Sequence, residues 1–524
     1  MSQFYKIVLL LIILSKVIYA QIWPLIDWYH IYDGPSHGID MTNDAKMDRD
    51  KNVYLAGRST GIDGSADLLI LKYSRLGKLI SELRYSSAPS SWDEANSIAT
   101  DSLNNLYCIG SSSFGTSSFF AIIQKYSPNG NLVWSKNFFN ESGQYSEGTK
   151  IRVDNDNNVI AGYNLKGVYI TKYTSSGDSL WTKVISDDTS HFVLNNILTD
   201  AFNNIYISIA QLYYEGSDVP YSRIHTYMYD KNGNIIWHDI FDGYNSKKIV
   251  LDNKNNIIQL IDNVILKVNQ EGKIEWKIDS GITVLTDLGI STDNNIIVTG
   301  YDMVNNSFDY FTKKYSTDGI EYWLQTFNSA KNLQDHAFAL AIDNLNNIYV
   351  TGSTSDSVDQ GNSYTVKYSD NGSLLWQQKF GAPHSNYNNA KFLFLDDSSN
   401  VYVAGDVADS TNGWNFFILK INQKMGSNVD NRNSGLPNAY SLSQNYPNPF
   451  NPTTTIKYSV PKSSFVSLTV YDLLGREIAS LVNEEKPPGV YTVNFNGSNF
   501  ASGIYFYRFR AGSFIQTKKF VLIK

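Results

Sequence analysis

The chain has 524 residues, enough for two or three domains with a large core. Charged residues make up only 18% of it and aromatic residues 14%, a composition that excludes a disordered chain and suits an extracellular β protein. The net charge of −7, without a cluster of Lys and Arg, argues against nucleic acid as a partner, and the one cysteine, Cys108, cannot form an internal disulfide.

The N-terminal segment predicts a signal peptide. Lys6 precedes the apolar run Ile7–Leu14, and the segment ends at Ala20. Because this run is too short to cross a bilayer, we expect residues 1–20 to be removed on export. No other stretch of the sequence predicts a transmembrane segment, and no cysteine near the cleavage point could carry a lipid.

A motif that begins at Asp343 and ends at Gly352 recurs about every 50 residues. An Asp can bond the backbone amides of a turn, and Asn adopts the left-handed conformation that a tight hairpin requires. Since β-branched and aromatic residues follow, each copy predicts a β-hairpin. One Asn column is shared by all eight copies: Asn52, Asn105, Asn158, Asn204, Asn256, Asn295, Asn347 and Asn400.

A calcium loop is the alternative interpretation of this motif, because Asp154–Asn158 resembles a series of alternating oxygen ligands. An EF-hand loop requires Gly at its sixth position and a bidentate Glu at its twelfth. None of the eight copies has that combination. We therefore expect no metal site and no cofactor.

A second hairpin follows each motif, for example the strand Tyr364–Ser369, a turn, and the strand Leu374–Phe380. Four short strands per repeat are the content of one propeller blade. The eighth copy lacks its last strand, and Trp28–Gly34 near the N-terminus resembles the missing piece. Pairing that strand into the last blade would close a ring and leave no exposed sheet edge.

The fold prediction is therefore all-β. Residues 21–422 form an eight-bladed β-propeller closed by the N-terminal strand, and a small C-terminal β-sandwich follows. The fifth copy of the repeat, between Asn256 and Asn295, is shorter than the others, so a seven-bladed propeller is the alternative.

The array resembles the bacterial SBBP-type beta-propeller repeat family. The pattern that carries the resemblance is Asp-x-Ala-x-x-(Ile/Leu)-Ala-x-Asp, at Asp93–Asp101 and again at Asp335–Asp343. The resemblance implies the propeller fold, which by itself does not assign a function. The Gly233-to-Trp237 spacing also matches the tryptophan-docking pattern of quinoprotein dehydrogenases. Those enzymes are typified by a vicinal cysteine pair, which a chain with one Cys lacks.

The C-terminal part has a different character. Residues 423–443 are polar and predict a linker, and residues 444–524 contain short strands separated by turn signals, as in a small β-sandwich. This part closely resembles the C-terminal sorting domain of type IX secretion cargo from Bacteroidetes-like bacteria. The residues assigned to the sorting signal are Pro447, Asn448, Pro449, Gly475, Gly489, Tyr491, Gly503, Tyr505, Lys518 and Lys519.

The sorting-domain resemblance implies the route of export. The chain would reach the periplasm through its signal peptide, and the type IX translocon and sorting machinery in the outer membrane would then recognise the tail. Cleavage of the tail would be followed by release or by attachment to the cell surface. The expected partners are thus this machinery and a glycan or surface protein, and we expect a monomer.

Candidate binding residues lie where the repeats differ in length. In a propeller the turns within hairpins lie on one face, and the connections between the second and third strands and between blades lie on the other. The Asn and Gly turns are uniform, whereas these connections vary, and binding sites tend to lie on such variable loops. The loop Leu212–Tyr221 carries an aromatic cluster suited to sugar stacking: Tyr213, Tyr214, Glu215 and Tyr221.

Histidines are the second group of candidates. Four of the seven fall in connections between blades, namely His37, His191, His336 and His384. His336, His384 and His37 open three adjacent blades, so we expect them to converge near the ring axis, where Asp335 is a neighbour. Convergence of this kind is a condition for metal binding or for general acid–base work.

The function predicted from the sequence is a secreted or surface-attached, non-enzymatic binding propeller. The chain has no serine-nucleophile motif, no HExxH and no phosphate-binding loop. The alternatives are a hydrolase or lyase that acts on extracellular polysaccharide and a structural scaffold of a surface assembly.

Overall fold

The computed structural model consists of two compact units, Met1–Met425 and Gly426–Lys524. It describes residues 25–113, 119–139, 146–187, 190–213, 221–282, 284–329, 333–357, 360–382, 385–409, 413–423, 440–442, 445, 448–461, 464–486, 489–512 and 514–523. The predicted signal peptide, and nearly all of the predicted linker, lie outside these residues. Every regular element within them is a β-strand.

The first unit contains eight four-stranded antiparallel sheets among its described residues, so the prediction of eight blades is confirmed. The short fifth copy forms a complete blade. Blades one to four comprise β1 Leu25–Tyr32 (which joins blade eight), β2 Asp40–Met47, β3 Val53–Thr60, β4 Ala66–Tyr73, β5 Leu79–Tyr85, β6 Glu94–Thr100, β7 Leu106–Ser113, β8 Phe119–Tyr126, β9 Leu132–Phe138, β10 Glu147–Val153, β11 Val159–Asn164, β12 Val168–Tyr173, β13 Ser179–Ile185, β14 His191–Thr199, β15 Ile205–Tyr213, β16 Tyr221–Tyr229 and β17 Ile235–Asp242.

The remaining blades follow the same order from the inner to the outer strand. They comprise β18 Ser246–Leu251, β19 Ile257–Ile261, β20 Val264–Val268, β21 Ile274–Asp279, β22 Val284–Ile290, β23 Ile296–Val304, β24 Ser307–Tyr315, β25 Glu321–Phe327, β26 Asp335–Ile342, β27 Ile348–Ser357, β28 Gln360–Tyr368, β29 Leu374–Phe380, β30 Ser385–Leu395, β31 Val401–Asp409 and β32 Trp414–Asn422.

The N-terminal strand closes the ring, as the sequence predicts. β1 pairs antiparallel with β32, from Leu25 opposite Asn422 to Tyr32 opposite Phe416, and becomes the outer strand of blade eight. Blade eight also bonds blade one directly, because the backbone N–H of Thr42 donates to Asp406 Oδ1 at 2.7 Å. The first and last blades are therefore joined by a ladder and by side-chain contacts.

In seven of the eight blades the turn between the inner and second strands is built around an aspartate carboxylate, and in blade six Ser291 takes its place. In blade seven, Asp343 Oδ1 accepts from the backbone amides of Leu345 and Asn347, and its Oδ2 accepts from Asn347 Nδ2 and the Tyr349 hydroxyl. Asn346, which precedes Asn347, has φ of 61°. The sequence prediction of an Asp-bonded hairpin with a left-handed residue is confirmed in atomic detail.

The left-handed Asn links neighbouring turns. The amide oxygens of Asn157, Asn203, Asn294 and Asn346 accept backbone N–H groups from the turn of the preceding blade at 2.9 to 3.0 Å. The paired Asn residues of the motif therefore have separate tasks. The second fixes its own turn, and the first bonds the neighbouring blade.

Tryptophan contacts connect the outer strands. Trp181 of blade three covers Gly233 of blade four. Gly233 has φ of 84°, and a Cβ built on it would lie 2.9 Å from Trp181 Cδ2. Trp28 of the closing strand covers the equivalent Gly77 of blade one. A side chain larger than hydrogen would therefore separate adjacent blades at these turns.

The second unit is a two-sheet β-sandwich, as predicted. One sheet has the order β33-β34-β37, the other β36-β35-β38-β39, and aromatic and aliphatic side chains such as Phe450, Ile456, Tyr507 and Phe520 are buried in its core. Its strands are β33 Ser441–Leu442, β34 Thr453–Val460, β35 Ser464–Tyr471, β36 Glu477–Lys486, β37 Gly489–Asn496, β38 Gly503–Ala511 and β39 Phe514–Leu522.

The turn network generates a stability prediction within blade four. Asp200 accepts from the amides of Phe202 and Asn204, from Asn204 Nδ2 and from the buried Tyr206 hydroxyl. Replacing it with Ala leaves these buried donors without an acceptor, so we expect Asp200→Ala to lower the free energy of unfolding by about 2–4 kcal/mol. Urea unfolding followed by tryptophan fluorescence measures the change.

Asp230 is the matched control in the same blade. It accepts an equivalent set of local bonds from Asn232 and Asn234, but its turn is exposed to solvent. We expect Asp230→Ala to cost about 1 kcal/mol or less, because water replaces the lost acceptor. Equal losses in the two variants would contradict the importance of burial at the inner turn.

Candidate functional site

The inner strands that surround the ring axis all contain a β-bulge at the same position. One residue of each inner strand has no partner opposite it in the next strand of its own blade. A bulge re-aims the inserted side chain and often marks a functional site. The bulged residues are Asn43, Asn96, Thr149, Asn195, Lys247, Thr286, Phe338 and Lys391.

Four bulged side chains reach the backbone of the next blade around the ring. Each donates to the carbonyl of the residue that directly precedes the neighbouring bulge. The bonds run from Asn43 to Ala95, from Asn96 to Gly148, from Lys247 to Leu285 and from Lys391 to Thr42, at 2.7 to 3.1 Å. The channel wall is thus held by contacts between residues about one repeat apart.

Two inner-strand carboxylates also bridge blades. Asp44 Oδ2 accepts the Ile98 amide at 2.9 Å, and Asp287 Oδ2 accepts the Leu340 amide at 2.8 Å. The same two carboxylates pair with lysines of the inner strands. Asp44 pairs with Lys46 at 3.2 Å, and Asp287 pairs with Lys248. Asp406, on the second strand of blade eight, pairs in turn with Lys391.

A cavity of about 560 Å³ lies between the inner strands of blades three to seven. Asn245 and Val284 are in its wall and lie where their inner strands begin, so the cavity is at the channel end nearest the variable connections. Its lining residues are Lys150, Leu194, Asn195, Asn245, Ser246, Lys247, Val284, Leu285, Thr286 and Phe338. Two of these carry a charge, and both are lysines.

The cavity lysines lie in a poorly hydrated position. Burial lowers the pKa of Lys150, an effect that the charges of Asp44 and Glu147 partly offset. Burial likewise lowers the pKa of Lys247, with Asp262 acting in the opposite direction. Among the described residues neither lysine forms a salt bridge, in contrast to Lys46, Lys248 and Lys391. Positive charge is therefore concentrated at the cavity wall.

The predicted aromatic cluster is described in part. Tyr213 ends β15, Tyr221 begins β16, and their rings are stacked with centroids 5.9 Å apart. The Arg223 guanidinium lies 5.5 Å from the Tyr213 ring centre, and Tyr221 is 53% exposed. These rings lie at the connection between the second and third strands, on the variable face. Tyr214 and Glu215 lie outside the described residues.

The candidate histidines have different surroundings. His37 is largely exposed and bonds Asp33 at 2.6 Å, whereas the His336 ring contacts Tyr301, Phe308 and Phe338, the last of which lines the cavity. His384 lies outside the described residues, so the predicted convergence stays a prediction.

Asp335, which the sequence predicts as a neighbour of His336 at the site, forms hydrogen bonds with Ser329. Asp335 is buried and accepts from the Ser329 amide and hydroxyl. Within the described parts of the chain, no group of three or more His, Cys, Asp or Glu side chains could hold a metal.

Two histidines that sequence reasoning did not select do meet. His225 Nδ1 lies 3.0 Å from His238 Nε2, and His225 Nε2 lies 2.7 Å from Gln211 Oε1. Gln211 in turn donates to Asp187 at 3.0 Å. Because burial and the neighbouring His238 disfavour a charged ring, the pKa of His225 is lowered to about 4.

The sorting residues are distributed over the sandwich. Gly475 occupies the turn after β35 with φ of 77°, and Asn448 Oδ1 accepts the Val521 amide. The Tyr491 ring stacks on Tyr458, and the Tyr505 hydroxyl donates to the Ala501 carbonyl. Pro449 precedes β34, Gly489 and Gly503 begin β37 and β38, and Lys518 and Lys519 lie on β39. Pro447 lies outside the described residues.

Residues 444–524 match the family model of the secretion system C-terminal sorting domain, in agreement with the resemblance found in the sequence. The tail identifies the chain as cargo of the type IX system, exported to the cell surface or secreted. Among the residues described, none belongs to a helix long and apolar enough to cross a membrane.

Comparison with solved structures gives similar propellers. BamB from Moraxella catarrhalis is 11% identical with a TM-score of 0.45, over 76% of this chain and 99% of that chain. The Dos1 propeller is 10% identical with a TM-score of 0.47, over 76% and 95%. PorZ, a surface component of the type IX secretion system of Porphyromonas gingivalis, is 10% identical with a TM-score of 0.25, over 92% and 81%. No curated protein sequence matches the chain.

The histidine pair generates a pH prediction. The folded chain holds His225 neutral, whereas an unfolded His titrates near pH 6.5, so the unfolded state binds more protons as the pH falls. We expect this site to cost about 1.4 kcal/mol of stability per pH unit between about pH 6 and pH 4, with no further loss below pH 4. Thermal unfolding over this range measures the effect.

His225→Gln removes the titrating group and should flatten this part of the pH dependence. Replacement of the exposed His191 with Gln is the control, and it should leave the slope of the parent chain unchanged. If the stability of His225→Gln falls with pH as steeply as that of the parent chain, other groups account for the acid sensitivity.

Proposed function

We propose that the chain is a non-enzymatic propeller that binds extracellular carbohydrate after export to the cell surface. Its binding surface is the face formed by the variable connections, together with the mouth of the central channel. The enzymatic and scaffold alternatives remain outcomes of the tests below.

The observation that carries this proposal is the unequal use of the two faces of the ring. On one face, Asp and Asn side chains are occupied by bonds within and between the turns, as at Asn157 and Asn346. The opposite face has connections of different lengths, and the channel cavity lies at its end. Binding residues tend to lie on connections that vary in this way, because their length and sequence are not set by the repeat.

The stacked pair Tyr213 and Tyr221 supports a carbohydrate ligand. A tyrosine ring presents an apolar surface against which the C–H face of a sugar can pack, while its hydroxyl remains available for hydrogen bonds. The exposed Tyr221 and the neighbouring Arg223 form a small platform of this kind. Surface export brings such a platform into contact with extracellular polysaccharide.

Binding of the purified, fluorescently labelled chain to an array of extracellular polysaccharides tests the proposal. We expect the combined change Tyr213→Ala and Tyr221→Ala to reduce binding about tenfold, because it removes both rings of the platform. Phe202→Ala is the matched control, since Phe202 is an aromatic residue of the same blade, 71% exposed, in a turn of the opposite face.

Three results would contradict the proposal. Equal loss of binding in Phe202→Ala would place recognition outside the variable face. Shortened polysaccharide after incubation, detected by size-exclusion chromatography, would favour the hydrolase or lyase alternative. If none of the polysaccharides on the array retains the chain, a carbohydrate-binding role is excluded and the scaffold alternative is left.

A further inference from the structure

The cavity at the channel mouth has a charge pattern that the function proposed above does not explain. Its wall contains Lys150 from blade three and Lys247 from blade five, and no carboxylate is among its lining residues. Elsewhere on the inner strands, Lys46 and Lys248 each have an aspartate partner. The two cavity lysines therefore give the lining a net positive charge, on which Asp44, Glu147 and Asp262 act from outside the lining.

The remaining polar groups of the cavity suit a ligand with hydroxyl groups. Asn195 Nδ2 donates to Asn245 Oδ1 at 3.2 Å, while Asn195 Oδ1 is buried without a hydrogen-bond partner among the described residues. Asn245 Oδ1, which is exposed and lines the cavity, has a second lone pair that can accept a hydroxyl donor from a ligand. Thr286 contributes another hydroxyl to the same wall.

The cavity also has an apolar side. The bulge in β26 places Phe338 in the lining, and Leu194, Val284 and Leu285 complete this side. The volume of about 560 Å³ lies in the range of roughly 300–1,000 Å³ typical of small-molecule sites. Cations, an amide acceptor and an aromatic ring around one volume match the surface of an acidic sugar.

We propose that this cavity binds the anionic group of an acidic carbohydrate between Lys150 and Lys247, with Asn245 accepting a sugar hydroxyl. This inference rests on the proposed carbohydrate-binding function and names the ligand class that the channel mouth selects. Charge-assisted hydrogen bonds from the two lysines supply most of the selectivity over neutral sugars, because a neutral sugar offers no charged acceptor.

Isothermal titration calorimetry of the purified chain with D-glucuronate, D-glucose and inorganic phosphate tests the inference. We expect glucuronate to bind at least tenfold more tightly than glucose. Lys150→Gln should weaken glucuronate binding about tenfold or more, since one charge-assisted hydrogen bond is lost. Lys150 is preferred for substitution over Lys247, whose Nζ also bonds the Leu285 carbonyl of the next blade.

Lys273→Gln is the matched control, because Lys273 is a surface lysine of blade five with a side chain 77% exposed. It should bind glucuronate like the parent chain. Phosphate binding that is equally sensitive to Lys150→Gln would support the anion site and assign it to a free anion rather than to a sugar. Equal binding of glucose and glucuronate, unchanged binding in Lys150→Gln, or no binding of either anion at 10 mM would overturn the inference.

Failure of this inference and failure of the proposed function give different results. If the array retains the chain through Tyr213 and Tyr221 but no anion binds, the channel inference alone is wrong. If anions bind through Lys150 while the tyrosine variant retains all array binding, the platform proposal alone is wrong.

Discussion

The buried carboxylate at the inner turn is the interaction on which the propeller depends. Asp343 illustrates the constraint, because its two oxygens accept from two backbone amides, an Asn side chain and a tyrosine hydroxyl. A buried carboxylate is tolerated only when donors surround it. The sequence around the turn therefore has to keep these donors at fixed offsets. The adjacent Asn346 extends the constraint to the preceding blade, because its amide oxygen accepts the Thr292 amide.

Closure of the ring adds a second constraint at the axis. Each inner strand contacts the inner strands on both sides, and the bulges allow side chains such as Asn96 and Lys391 to reach the neighbouring backbone. Since β1 completes blade eight and Trp28 covers Gly77, the first and last blades are joined at the outer edge as well as at the axis. The channel wall is therefore rigid at every blade that has such a contact, and its cavity is formed before a ligand arrives.

Much of the fold could be predicted from the sequence because its determinants are local. The Asp and Asn turns and the four strands of each repeat follow from residues near one another in the chain. Closure by β1 is the exception, and it is predicted from the strand that the eighth copy lacks. The bulges and the cavity could not be predicted in this way. A bulge inserts one residue without a characteristic residue type, and Thr149, Phe338 and Lys391 have nothing in common chemically. The charges around Lys150 depend on how whole blades face each other, and the contacts of His225 with His238 and Gln211 depend on which residues lie side by side within blade four. Repeat spacing specifies neither.

The contrast between turns and bulges explains how a repeat protein can acquire specificity without losing its fold. At the turn, changing Asp200 would disrupt donors that have no other acceptor, so this position has little freedom. At the bulge, the backbone is held by the ladders on either side, and the side chain can be Asn, Thr, Lys or Phe. Four of the eight bulged residues line the cavity, namely Asn195, Lys247, Thr286 and Phe338, so the chemistry of its wall can differ from blade to blade. A lysine at one of these positions and an aromatic ring at another follow from this freedom.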